Sequence, residues 1–103
     1  MLSEMRDSTA KTTNDNRHDA GVWLKGLRES QGMSQRNLAD KLDLDYYTFI
    51  SQLENGRGRI PASRYRSWAD ALEIDVQVFV KELLFYYDPI TYDILFKDQD
   101  KSA

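Results

Sequence analysis

Apolar residues recur at helical spacing through most of the chain. Ala20, Trp23, Leu24 and Leu27 fall at i, i+3, i+4 and i+7. That spacing predicts an amphipathic helix running from a cap near Asp19 to about Gln31 and ended by Gly32. Ser34 offers an N-cap to a second helix, whose Leu38, Ala39 and Leu42 face inward. A third helix is expected after Leu44, with Asp45 as its cap and Asn55-Gly56 as its end. The stretch Arg57-Gly-Arg-Ile-Pro61 reads as a loop closed by a proline suited to opening the next helix. Tyr65, Trp68, Ala69 and Leu72 then mark a fourth helix, and Asp75 caps a fifth that carries Val76, Phe79, Val80 and Leu83. Residues 1–19 are polar and lack this periodicity, which predicts a disordered polar tail ahead of a folded unit over 20–83.

The third helix carries two opposed stripes. At about 100° per residue, Tyr46, Phe49, Ile50 and Leu53 share one side, while Thr48, Ser51, Gln52 and Asn55 share the other. The first set can bury against a core. The second presents short hydrogen-bonding groups without a single charge.

Residues 84–96 are more apolar than the last helix of a small domain requires. Leu84, Phe85, Tyr86, Tyr87, Ile90, Ile94 and Phe96 are therefore candidates for contact with a second copy or a protein partner. Asp88-Pro89 supplies an N-cap followed by proline at the first helical position, predicting an extra short helix. Ile90, Tyr92, Ile94 and Phe96 also alternate as in a strand. The helix is preferred because its start signal has a mechanism. Residues 97–103 are charged and expected to be flexible.

Charge changes the picture once it is resolved by segment. The net charge of −3 speaks against a polyanionic partner, yet Val22 to Trp68 holds eight basic and five acidic residues. From Ala69 onward three lysines face eight acids. The middle of the chain is basic and its end acidic. Cysteine is absent, and the one histidine, His18, lies among polar residues, so neither disulfides nor thiolate metal sites are available. Asp43/Asp45 and Asp98/Asp100 lack the further ligands a metal needs. No Gly-rich phosphate loop and no nucleophile beside a base occurs, so neither an enzyme nor a cofactor is expected. Without a long apolar run or a signal-peptide core, a cytoplasmic location is expected and a membrane partner is not.

Taken together, Leu24-Lys-Gly-Leu-Arg28, Met33-Ser-Gln-Arg-Asn-Leu-Ala-Asp-Lys-Leu42, Phe49-Ile-Ser-Gln-Leu-Glu-Asn-Gly56 and the aromatic helix Tyr65 to Leu72 carry a resemblance. Residues 22 to about 83 resemble a lambda-repressor-like, Cro/XRE-type helix-turn-helix domain. The resemblance implies an all-α fold of five helices, here with the apolar C-terminal extension. It also implies transcription regulation by a homodimer on a palindromic operator in double-stranded DNA, with a recognition helix over about 46–54 in the major groove. Thr48, Ser51 and Gln52 would then read bases, and Tyr47 at the flank would meet a base edge or a phosphate, or pack. Gln35 resembles the glutamine that braces the recognition helix and touches phosphate. Arg36, Asn55, Arg57 and Arg59 would hold the backbone. Many family members place a glycine and one fewer residue where this chain has Asp43-Leu-Asp-Tyr-Tyr47. Asp45 is expected to turn inward as a cap, the alternative being acceptance of a hydrogen bond from a cytosine amino group. An antitoxin-type protein, whose C-terminal segment grips a protein partner, is the other function compatible with the same residues.

Overall fold

The computed structural model describes residues 13–97, all helices and connections. In chain order these are α1 (Thr13–Ser30), α2 (Gln35–Lys41), α3 (Thr48–Glu54), α4 (Tyr65–Leu72), α5 (Val76–Tyr87) and α6 (Pro89–Tyr92). A 3-10 turn, Ala62–Arg64, leads into α4, and a π turn, Asp93–Lys97, continues α6. No strand occurs among the described residues, so the expected all-α architecture stands and the 89–96 segment is helical. No helix among them is long and apolar enough to cross a membrane.

The capping chemistry explains most boundaries. Ser34 and Asn37 form a reciprocal capping box, the Asn37 amide donating to Ser34 Oγ and the Ser34 amide to Asn37 Oδ1, each at 3.0 Å. Asp75 accepts from the Val78 amide at 3.1 Å. Asp88 accepts from both the amide and the hydroxyl of Thr91, with Pro89 in the first turn, and these bonds hold its carboxyl below the usual carboxylate range. At the C-termini of α1, α2 and α3 the same Schellman pairing recurs, with Gly32, Asp43 and Gly56 in left-handed geometry.

Two local expectations are overturned. Asp19 does not cap α1 but lies inside it, because the helix is already formed at Thr13. Residues 13–19 are therefore helical rather than tail. Polarity hid this, since the segment has no apolar stripe; at its end the α-carbon of His18 lies so close to Gly56, beyond α3, that a Cβ on Gly56 would sit 2.9 Å from it. The rest of the expected tail, residues 1–12, and the segment 98–103 lie outside the described residues.

The second correction concerns the turn. Asp45 caps nothing; α3 starts at Thr48 with Tyr47 as its N-cap residue and no side-chain cap. Asp43 occupies the left-handed position after α2 at φ 57°, and Leu44 tucks against the core with its amide bonded to the Ala39 carbonyl at 2.9 Å. The chain needs Asp45 to Tyr47 to climb back to the start of α3. Tyr46 consequently lies outside the helix and is 76% exposed, not inward as helical spacing suggested.

The core gathers Leu24 of α1, Leu38 and Leu42 around α2, Ile50 and Leu53 of α3, Trp68 and Leu72 of α4, and Phe79 and Leu83 of α5. Ile60, from the loop, is fully buried among them. Trp23 stacks on Phe79 with ring centroids 5.5 Å apart. α3 is thus pinned from inside while its opposite face stays free.

Candidate nucleic-acid interface

Inward and outward faces of α3 separate as the periodicity predicts. Ile50 and Leu53 are buried, Phe49 is half-buried, and Thr48 and Gln52 are exposed, with Ser51 partly so and Asn55 exposed at the C-cap. The outer face carries no charge; the one acid of the helix, Glu54, points inward.

Glu54 is the hub that orients this helix. Arg28 on α1 donates through Nε to Glu54 Oε2 at 2.7 Å and through Nη2 to Oε1 at 3.0 Å. Its third nitrogen, Nη1, donates to the Met33 carbonyl at 2.7 Å. Gln35, opening α2, donates from Nε2 to Glu54 Oε1 at 2.9 Å. Both charged side chains of the pair are less than a tenth exposed. The Glu54 contact raises the Arg28 guanidinium above its ordinary range, ahead of burial, which acts the other way. A bidentate, buried ion pair of fixed geometry leaves α3 little rotational freedom about its axis.

A second constraint comes from α1 itself. A Cβ on Gly21 would lie 2.5 Å from the carbonyl oxygens of both Leu53 and Glu54. Only glycine lets the two backbones approach this closely. Neither Gly21 nor the Arg28–Glu54 pair was identified as functional from the sequence. The fragments Leu24 to Arg28 and Phe49 to Gly56 held the pair's residues, but their complementary charges became meaningful only when α1 and α3 were brought together.

Around the uncharged face lie exposed cations. Arg36 stands over the Tyr47 ring with its Cζ 5.5 Å from the centroid, flanking the start of α3. Arg57 and Arg59 follow α3 on an exposed loop in which Gly56 and Gly58 have positive φ. The Arg57 amide donates to the Gln52 carbonyl at 2.8 Å, fixing the loop's departure. Gln35 does brace α3, through Glu54. The structure therefore brings Thr48, Ser51, Gln52, Tyr47, Arg36, Asn55 and Arg57 to α3 and its two ends, with Arg59 farther along the loop.

The candidate contact residues of the C-terminal segment divide. Phe85, Ile90 and Ile94 are exposed, while Leu84, Tyr86 and Phe96 are partly buried. Phe85 meets Tyr92 edge-on at 5.2 Å, Tyr86 tilts against Trp23 at 5.9 Å, and Lys81 stands 4.7 Å over Phe96. Burial pushes the Tyr86 phenol up to about 12, with Glu82 adding to the shift. Tyr87 turns back to the loop, where its hydroxyl accepts from the Ile60 amide at 3.2 Å and its ring faces Arg59.

A helical domain that fixes one helix from within and presents that helix's polar face between guanidiniums has the architecture of a DNA-binding domain. A family model described as helix-turn-helix matches residues 24–79, more than half of the chain. The chain belongs to this family, the Cro/C1-type helix-turn-helix proteins, which are DNA-binding transcription regulators. No curated protein matches it.

Proposed function

We propose that the chain regulates transcription as a homodimer that inserts α3 of each subunit into successive major-groove faces of a palindromic operator. The observation that carries this reading is the uncharged, exposed stripe Thr48, Ser51 and Gln52 on a helix whose rotation is fixed by Glu54. Gln52 offers adenine two hydrogen bonds, and Thr48 and Ser51 can donate, accept or touch a thymine methyl. Gln35, Arg36, Asn55, Arg57 and Arg59 hold phosphates on either side, and Tyr47 meets the backbone at the flank. Gln52→Ala should cost about 1–3 kcal/mol on the specific site and relax preference at one base pair. Arg57→Ala should weaken specific and random duplexes alike and reduce the salt slope by about one phosphate. Equal losses for both variants on both DNAs would reject these roles.

The dimer contact is assigned to α6 and the turn after it. Ile90 and Ile94, four residues apart, are 74% and 60% exposed, and Phe85, edge-on to Tyr92 between them in sequence, is 51% exposed. Such an apolar group on so small a domain suits an isologous contact, and recognition helices about 34–36 Å apart require one. Because neither isoleucine supports the core, Ile90→Glu with Ile94→Glu should leave thermal stability nearly unchanged. Sedimentation should then show a monomer that binds a half-site as before and the full operator far more weakly. A variant that stays dimeric would place the contact elsewhere, and a small protein co-purifying with the wild type in place of a second copy would favour the antitoxin reading.

A further inference from the structure

We propose that Tyr87 is a positioning residue for DNA binding, holding Arg59 and the Ile60 backbone in the arrangement that meets phosphate. The inference rests on the DNA-contacting role assigned above to Arg59.

The loop between α3 and α4 is tied at its start by the Gly56 and Arg57 amides, which donate to the Leu53 and Gln52 carbonyls, and Tyr87 holds it farther along. Gly56 and Gly58 sit at φ 85° and 70°, in a region glycine enters without strain, and so bring the greatest freedom to the unfolded loop. Ile60 anchors the far end by full burial, which takes its amide away from water. That amide lies outside every helix, and Tyr87 Oη accepts from it at 3.2 Å. A buried backbone donor without such an acceptor would be costly.

The same side chain also meets the second of the loop's two arginines. Arg59 Cζ lies 4.7 Å from the centroid of the Tyr87 ring, within the range of a cation–π contact. Asp88, whose oxygens accept from the Thr91 amide at 3.2 Å and the Thr91 hydroxyl at 2.6 Å, lies near enough for the Arg59 charge to help lower its carboxyl, yet no ion pair within 4.0 Å joins the two among the described residues. An exposed guanidinium laid on an aromatic face keeps its N–H edge for an incoming phosphate oxygen. Burial raises the Tyr87 phenol, against the opposing effects of the Ile60 amide and the Arg59 charge, so the hydroxyl stays neutral near pH 7. One residue at the end of α5 thereby sets both the path of the loop and the rest position of its arginine, and less ordering is left for DNA to impose.

The test uses the full chain and two duplexes, one recovered by selection from randomised DNA and one of random sequence, titrated across salt. Tyr87→Leu should weaken binding to both about three- to ten-fold, the range expected for freeing one long side chain. Arg59→Ala should lower the salt slope by about one phosphate, whereas Tyr87→Leu, which leaves the cation in place, should keep it. In an Arg59→Ala background Tyr87→Leu should cost little more. Tyr87→Phe, which keeps the ring and loses the acceptor, should speed hydrogen exchange at the Ile60 amide while keeping the salt slope. Full additivity of Tyr87→Leu and Arg59→Ala would overturn the proposal while leaving DNA binding intact. Wild-type protein that binds neither duplex would overturn both. Should Tyr87→Leu not fold, Tyr87→Phe decides, because unchanged Ile60 exchange would contradict the role given to the hydroxyl.

Discussion

Replacing Arg28 by alanine is expected to destabilise the domain by about 3–5 kcal/mol, the usual cost of leaving a buried carboxylate without its cation. Glu54 would keep only the Gln35 amide, and the Met33 carbonyl would lose its donor. In a domain of this size the melting temperature should fall on the order of 20 °C, measurable by calorimetry. The wild-type pair need not itself be strongly stabilising, because desolvation offsets much of its attraction. Arg28→Met combined with Glu54→Leu should therefore recover most of the loss. The double variant separates stability from function: it would be folded yet lack the polar hub that sets the rotation of α3, and should bind specific DNA poorly. A loss below about 1 kcal/mol for Arg28→Ala would mean that the pair is as weak as a solvated surface bridge.

Gly21→Ala should be the next most damaging single change, at about 3 kcal/mol, the upper end of ordinary overpacking. Its methyl group would meet two backbone carbonyls, at Leu53 and Glu54, that cannot rotate away. α3 would have to move outward, pulling Glu54 from Arg28. Gly26 supplies the control, for it lies on the same helix, is exposed, and has nothing within 4 Å of its would-be Cβ. Gly26→Ala should stabilise by about 0.5–1 kcal/mol through helix propensity alone. Comparable melting temperatures for the two variants would show that α1 and α3 do not approach as closely as described.

These two positions mark the boundary of what the sequence made legible. Periodic apolar residues placed the body of all five main helices, and capping chemistry placed the starts at Ser34, Asp75 and Asp88. Such signals are local: the residues that create them are neighbours in the chain. Thr48, Ser51 and Gln52 were readable as an outer face for the same reason. Gly21, and the partnership of Arg28 with Glu54 across 26 residues, depend on which helices meet, and no spacing rule encodes that. The third boundary failed at Asp45 because the left-handed turn at Asp43 consumed residues that helical spacing had counted into α3. Tyr87 was read among the apolar residues of the tail, but its hydroxyl had a partner in a loop 27 residues earlier.

Selection of binding sites from randomised duplex DNA by the full chain tests most directly whether α3 reads sequence. Recovered sites should share a palindrome whose half-sites are centred about one helical turn, 10–10.5 base pairs, apart. Repeating the selection with Gln52→Ala should blur the same base pair in both halves. Recovery of no shared sequence, or of one that Gln52→Ala leaves unchanged, would contradict base reading by this face.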